Sequence, residues 1–249
     1  FATSAQKSLA SYQRSKYSFV EACNYKCNQR SFEKGIFQTR KEECNCTNAK
    51  KSDKNTTQLL RVLTSYFKGL AQLSKSKNFK LSFESFGAPL LEANLLNKQE
   101  AKAVKKITNL LTATTADTYR AKKLKQVIET ANEDIVFLLM QARNIVENNL
   151  FLTLSTRELE LQQIYSEYYN DSTISLYEKR TIQEAYFLEL ATVDSLKLGL
   201  KKYGRAFDKI GKGHQSLSEN ANKLKERNVK ILMKRYGKEI DDLYTQLAN

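Results

Sequence analysis

Turn chemistry is scarce in this chain. One proline, Pro89, and eight glycines serve 249 residues. An antiparallel β fold needs a turn every ~8–12 residues, so an all-β architecture is excluded, and collagen with it. Long apolar runs are missing as well. The longest, Ile135–Met140, falls far short of the ~20 residues that a membrane-spanning helix needs. Histidine occurs once, as His214, and tryptophan not at all. A single histidine excludes His-rich metal sites and the paired Glu-x-x-His signature of di-iron bundles.

The catalytic signatures are absent too. A Ser-His-Asp triad would have to use His214, yet no Gly-x-Ser-x-Gly elbow exists. His214 reads instead as a turn or helix-end histidine bonded to backbone. Gly211-Lys212-Gly213-His214 lacks the spacing of a phosphate loop, and no dinucleotide fingerprint is present. Asn132-Glu133-Asp134 lacks the spaced acids and the glycine of a calcium loop and reads as a helix start. Glu158 with Glu160, or Asp241 with Asp242, has the carboxylates that glycosidase chemistry uses. Two-apart acids on a helix diverge, so they read as solvated charge. We therefore expect no enzyme, no cofactor and no metal.

What the chain has is charge and helical rhythm. There are 41 basic and 27 acidic residues, a net charge of +14, unevenly laid out. Residues 1–133 carry a net +13, residues 134–195 a net −6, and residues 196–240 a net +9. Acidic and basic helices lying side by side account for part of this pattern. The residual positive charge favours an acidic partner or an anionic surface, with salt-sensitive binding. Nucleic acid is disfavoured, because no zinc-finger spacing or RNP-like strand occurs and the cations are mostly lysine rather than arginine.

The four cysteines, Cys23, Cys27, Cys44 and Cys46, fall within 24 residues. Residues four apart share a helix face, and residues two apart share a face of an extended segment. The spacing predicts two nested disulfides, Cys27–Cys44 inside Cys23–Cys46. A four-cysteine zinc site is the rival; its second pair, with one intervening residue, is too close for the usual spacing. Disulfides imply an oxidising compartment, so we expect a periplasmic, secreted or cell-surface protein. A start at Phe1 fits a chain whose signal segment has been removed. Glycosylation triplets begin at Asn45, Asn55 and Asn170.

Apolar residues recur at helical steps nearly throughout. Leu59, Leu63, Tyr66, Leu70 and Leu73 step 4-3-4-3, one core face of an amphipathic helix. Residues 76–96 are irregular. Capping boxes start helices at Asn97/Glu100 and Ser175/Glu178, Asp117 restarts one, and Asn132 caps another. That last helix either continues through Leu159 and Tyr165 or breaks at the Thr/Ser cluster of residues 153–156. Gly211 and Gly213 then punctuate the chain before a final helix from Leu217 to Leu247. The expected fold is an all-α, elongated antiparallel bundle over residues 1–249. Its N-terminal part, residues 1–54, is a disulfide-stapled hairpin, and residues 55–249 form the main bundle. Tyr165, Tyr168 and Tyr169, just before the turn at Asn170, form a candidate binding patch.

Two stretches resemble uncharacterised helical cell-envelope proteins of Gram-negative bacteria, some of them lipoproteins. They are Thr115-Ala116-Asp117-Thr118-Tyr119-Arg120-Ala121-Lys122-Lys123-Leu124-Lys125 and Ile210-Gly211-Lys212-Gly213-His214-Gln215-Ser216-Leu217. The resemblance covers residues 57–249 and implies the same compartment and helical class. The expected function is non-enzymatic binding to a protein or an anionic envelope surface. A small-ligand carrier bundle and a carboxylate-based cell-wall enzyme are the alternatives.

Overall fold

The computed structural model describes residues 19–33, 45–73, 98–113 and 120–221. These form α1 (Phe19–Glu33), α2 (Thr47–Leu73), α3 (Lys98–Ala113), α4 (Arg120–Asn144), a π-helical segment (Ile145–Leu150), α5 (Phe151–Asn170) and α6 (Leu176–Glu219). No strand occurs among the described residues. Asn97, Asp117, residues 76–96 and the expected final helix beyond Ala221 lie outside them.

Two apolar clusters organise the bundle. In the first, Leu59, Val62, Leu63, Tyr66 and Leu70 of α2 meet Ala103, Val104 and Ile107 of α3. The stripe of α4 from Leu124 to Ala142, with Leu217 of α6, closes this core. Each stripe follows the three-and-four spacing of one helix face. Fully burying a side chain such as Ile135 or Leu138 contributes about 1.5–3 kcal/mol. The second cluster joins Val146, Leu150, Leu154 and Leu161 to Val193 and Leu200, with Phe19 and Tyr25 of α1 packed against it.

Two helix boundaries differ from the sequence-based expectation, and a third, open between two alternatives, takes the continuous one. Asn132 does not cap a helix: α4 runs through it unbroken, and its side chain is engaged across the core. The Thr/Ser cluster does not break α5 either. Thr153, Ser155 and Thr156 donate their hydroxyls to the carbonyls of Asn149, Phe151 and Leu152, four residues back. That bonding keeps each hydroxyl satisfied inside the helix. The irregularity falls earlier, in the π-helical segment. Gly211 and Gly213 do not punctuate the chain, since α6 continues to Glu219. Gly213 is buried there. The start signal at Ser175 and Glu178 holds. The Ser175 hydroxyl accepts from the Glu178 amide at 3.3 Å, and the Glu178 carboxylate accepts from the Ser175 amide at 2.8 Å.

α1 is tied to α2 in two ways. Cys23 and Cys46 form a disulfide with Cα atoms 5.9 Å apart. The Asp53 carboxylate of α2 accepts from the backbone N–H groups of Phe19 and Val20 at 2.9 and 3.0 Å. This cap comes from another helix. It also sets a negative charge at the positive end of α1.

Candidate functional site

The hairpin of α5 and α6 reaches past the core. Leu161 and Val193 are its last buried side chains toward the turn; residues 162–192 contain none. α5 ends at Asn170, Asp171 accepts from the Thr173 amide and hydroxyl at 2.8 and 2.7 Å, and α6 starts at Leu176. Those bonds pull the Asp171 carboxyl below its ordinary range. Large apolar side chains stand in solvent around this turn, with Leu176 at 84%, Tyr177 at 81%, Leu188 at 72% and Phe187 at 55% exposure.

Between the two helices lies an open groove of about 290 Å³, lined by Gln162, Tyr165, Ser166, Tyr169, Ile182, Gln183, Tyr186 and Phe187. Of the expected patch, Tyr165 and Tyr169 line the groove, and Tyr168 is exposed beside it. The sequence reading missed the α6 wall. Tyr186 shares the helical spacing of Ile182 and Val193, which reads as a core stripe, and Phe187, one residue on, lies off that stripe. Their signal was adjacency: successive helical residues are about 100° apart, so Tyr186 and Phe187 cannot both lie at the centre of one narrow stripe.

At the inner end of the groove a carboxylate gathers phenols. Glu189 accepts from the Tyr165 hydroxyl at 2.9 Å and from the Tyr25 hydroxyl at 3.3 Å. The Arg157 guanidinium lies 3.9 Å from the Tyr25 ring centroid. Burial, then the hydrogen bond to Glu189, pushes the Tyr165 phenol up to about 12. Burial raises Tyr25 as well, with Glu189 adding to the effect. Both phenols therefore stay protonated as donors, and α1 is held against the hairpin. Lys26 strengthens that hold through Glu160 at 3.3 Å.

The acids with glycosidase-like spacing do not converge. Glu158 pairs with Lys197 of α6, and Glu160 pairs with Lys26 of α1; Asp241 and Asp242 lie outside the described residues. Elsewhere, opposite charges do meet across helices, as Lys106 with Asp134 and Arg143 with Asp208.

His214 is neither at a helix end nor bonded to backbone, as was expected of it. It is 2% exposed, inside the first core, between two side chains. Nδ1 lies 2.9 Å from Asn132 Oδ1, and Nε2 lies 2.7 Å from the Tyr66 hydroxyl. An amide oxygen only accepts, so Nδ1 carries the proton and Nε2 receives the one from Tyr66. Burial lowers the imidazole to about 4 and raises the Tyr66 phenol. The ring is therefore neutral and doubly bonded, a polar pin through an apolar core.

Among the cysteines, Cys23, Cys27 and Cys46 have sulfurs within 4.8 Å of one another. The Cys23 and Cys46 sulfurs are bonded to each other, and Cys27 is disulfide-bonded too. Its expected partner, Cys44, lies outside the described residues. A disulfide sulfur has no thiolate to offer a metal, so the zinc reading loses its ligands.

No protein-family model matches this chain, and no curated protein or solved structure matches it. No described helix is long and apolar enough to cross a membrane.

Proposed function

We propose that this is an exported, non-enzymatic helical binding protein that contacts a partner protein through the tip of its α5–α6 hairpin. The observation that carries this reading is the ring surface around the groove. Monomeric proteins rarely leave contiguous large apolar groups in solvent unless something covers them. Tyrosines and phenylalanines with polar neighbours are the usual makeup of a contact surface. The groove, at about 290 Å³, sits at the small end of ligand cavities. Its open form suits a partner's side chain better than an enclosed metabolite, which weighs against the carrier reading.

The disulfide between Cys23 and Cys46 supports an oxidising compartment, either the periplasm or the cell exterior. The resemblance to envelope proteins leads to the same place. The basic remainder of the chain, within a net charge of +14, suits an anionic envelope surface, which would leave the acidic hairpin pointing away from it.

Site-specific photo-crosslinking in envelope extract tests the reading. A crosslinker at Tyr177 should give a discrete adduct, and one at exposed Lys105 on α3 should not. Equal labelling from both positions, or none from Tyr177, would remove the hairpin from the function.

A further inference from the structure

Resting on that reading, we propose that the groove is a docking site for a lysine- or arginine-bearing segment of the partner protein. Its floor and walls carry four aromatic rings, from Tyr165, Tyr169, Tyr186 and Phe187. The centroids of Tyr165 and Tyr186 are 5.5 Å apart, and those of Tyr186 and Phe187 are 5.4 Å apart. The two pairs are tilted by 54° and 59°, so the groove offers several separate ring faces, and a ring face attracts ammonium and guanidinium groups.

The molecule already uses its rings in this way. Lys179 Nζ stands 5.5 Å from the Tyr169 centroid, at the groove itself. Lys197 and Lys201 approach Phe151 at 5.5 and 5.3 Å. Lys179 therefore places an ammonium beside one ring of the groove, the kind of contact that we assign to the partner.

Charge selects the same occupant. From Gln162 to Thr192, beyond the last buried side chains, the chain has five acidic residues and two basic ones, Lys179 and Arg180. Arg180 is paired with Glu184 at 3.2 Å. The hairpin is thus a negative prominence on a protein whose net charge is +14. A basic segment is repelled by the bundle and drawn to the tip, whereas an anionic lipid or nucleic acid is drawn to the bundle. Gln162, Ser166 and Gln183 on the groove wall supply donors and acceptors for the backbone of such a segment.

The test uses the full chain and two short labelled peptides, one alternating lysine with leucine and the other glutamate with leucine. Fluorescence anisotropy should show the lysine peptide binding, about tenfold more tightly than the glutamate peptide. Tyr169→Ala with Phe187→Ala should weaken it about tenfold. Both side chains are substantially exposed, at 47% and 55%, so the thermal melt of the double variant should match that of the parent. Raising the salt concentration should weaken binding as well. Equal binding of both peptides, unchanged binding to the double variant, or no binding would overturn the proposal. Self-association that this variant abolishes would assign the groove to a second copy. Competition for the groove by anionic vesicles would assign it to a membrane. Either outcome also overturns the proposal. If the Tyr177 adduct persists while the lysine peptide fails, the functional reading stands and this inference falls.

Discussion

The Tyr66 hydroxyl donates to His214 Nε2 at 2.7 Å, joining α2 to the far end of α6 across 148 positions of sequence. Both side chains are almost wholly buried, at 0% and 2% exposure. The neighbours that the ring touches, Tyr66, Phe67 and Asn132, are uncharged.

Acid should loosen this core through the histidine. The folded imidazole titrates at about 4 and the unfolded one near 6.5, with burial as the cause. Between those values the unfolded chain binds the extra proton, so stability rises with pH across that window. The contribution is complete above pH 6.5 and lost as pH falls to 4. It amounts to about 3 kcal/mol, since a tenfold change in proton affinity is worth about 1.4 kcal/mol. Urea melts from pH 7 down to 4.5 check it; a flat stability over that range contradicts a neutral buried histidine.

Tyr66→Phe keeps the ring and removes the donor. His214 Nε2 is then left buried without a partner, which costs about 1–3 kcal/mol. The melting temperature should fall without loss of helical content, and unchanged stability would mean that the two side chains do not bond in solution.

Opening the disulfide should be costly as well. The Cys23–Cys46 bridge spans 23 positions, and the chain-entropy relation gives roughly 3 kcal/mol for a loop of that size. Cys23→Ser with Cys46→Ser should lower the denaturation midpoint accordingly. Mass spectrometry after alkylation should find no reactive thiol before reduction and four after it, matching the four cysteines of the chain.

Gly204 offers a coupled test. A Cβ there would overlap the Glu147 side chain, which the Arg143 guanidinium holds at 2.7 Å. In Gly204→Ala, Glu147 must turn away and leave Arg143, an exposed pair of small worth, so the single variant gains less than alanine's helix propensity alone would give. Gly204→Ala with Glu147→Ala removes the overlap and keeps the helix propensity of alanine, worth about 1 kcal/mol over glycine. The double variant should therefore be more stable than the Gly204→Ala single; additive changes would refute the contact.

At the hairpin turn, Ser175→Ala removes one half of the capping box. It should cost about 1 kcal/mol, a typical value for losing such a cap. Amide exchange should rise first in the opening turn of α6 and leave the residues near Val193 protected.

Features carried by local pattern were readable in advance. The stripe of Leu59, Leu63, Tyr66 and Leu70 predicted the buried face of α2, because helical spacing alone decides which residues share a face. Ser175 and Glu178 predicted a helix start, because the whole motif lies within four residues. Cys23 with Cys46 was legible because helix and strand periodicities limit which sulfurs can meet. The misreadings of Asn132 and His214 came from partners distant in sequence. Asn132 resembled a cap, and its true partner, His214, lies 82 positions away. Gly213 resembled a stop, yet α6 continues through it and buries it. The groove was half visible: Tyr165 and Tyr169 stood out as a cluster, but their facing wall comes from a second helix whose register no local signal fixes.

α6 carries both ends of the molecule's chemistry on one uninterrupted rod. Tyr186 at the groove and His214 in the core are 28 residues apart in a 44-residue helix, about 42 Å at the usual rise. A single helix therefore fixes the spacing between the groove and the buried histidine, like a boom of set length.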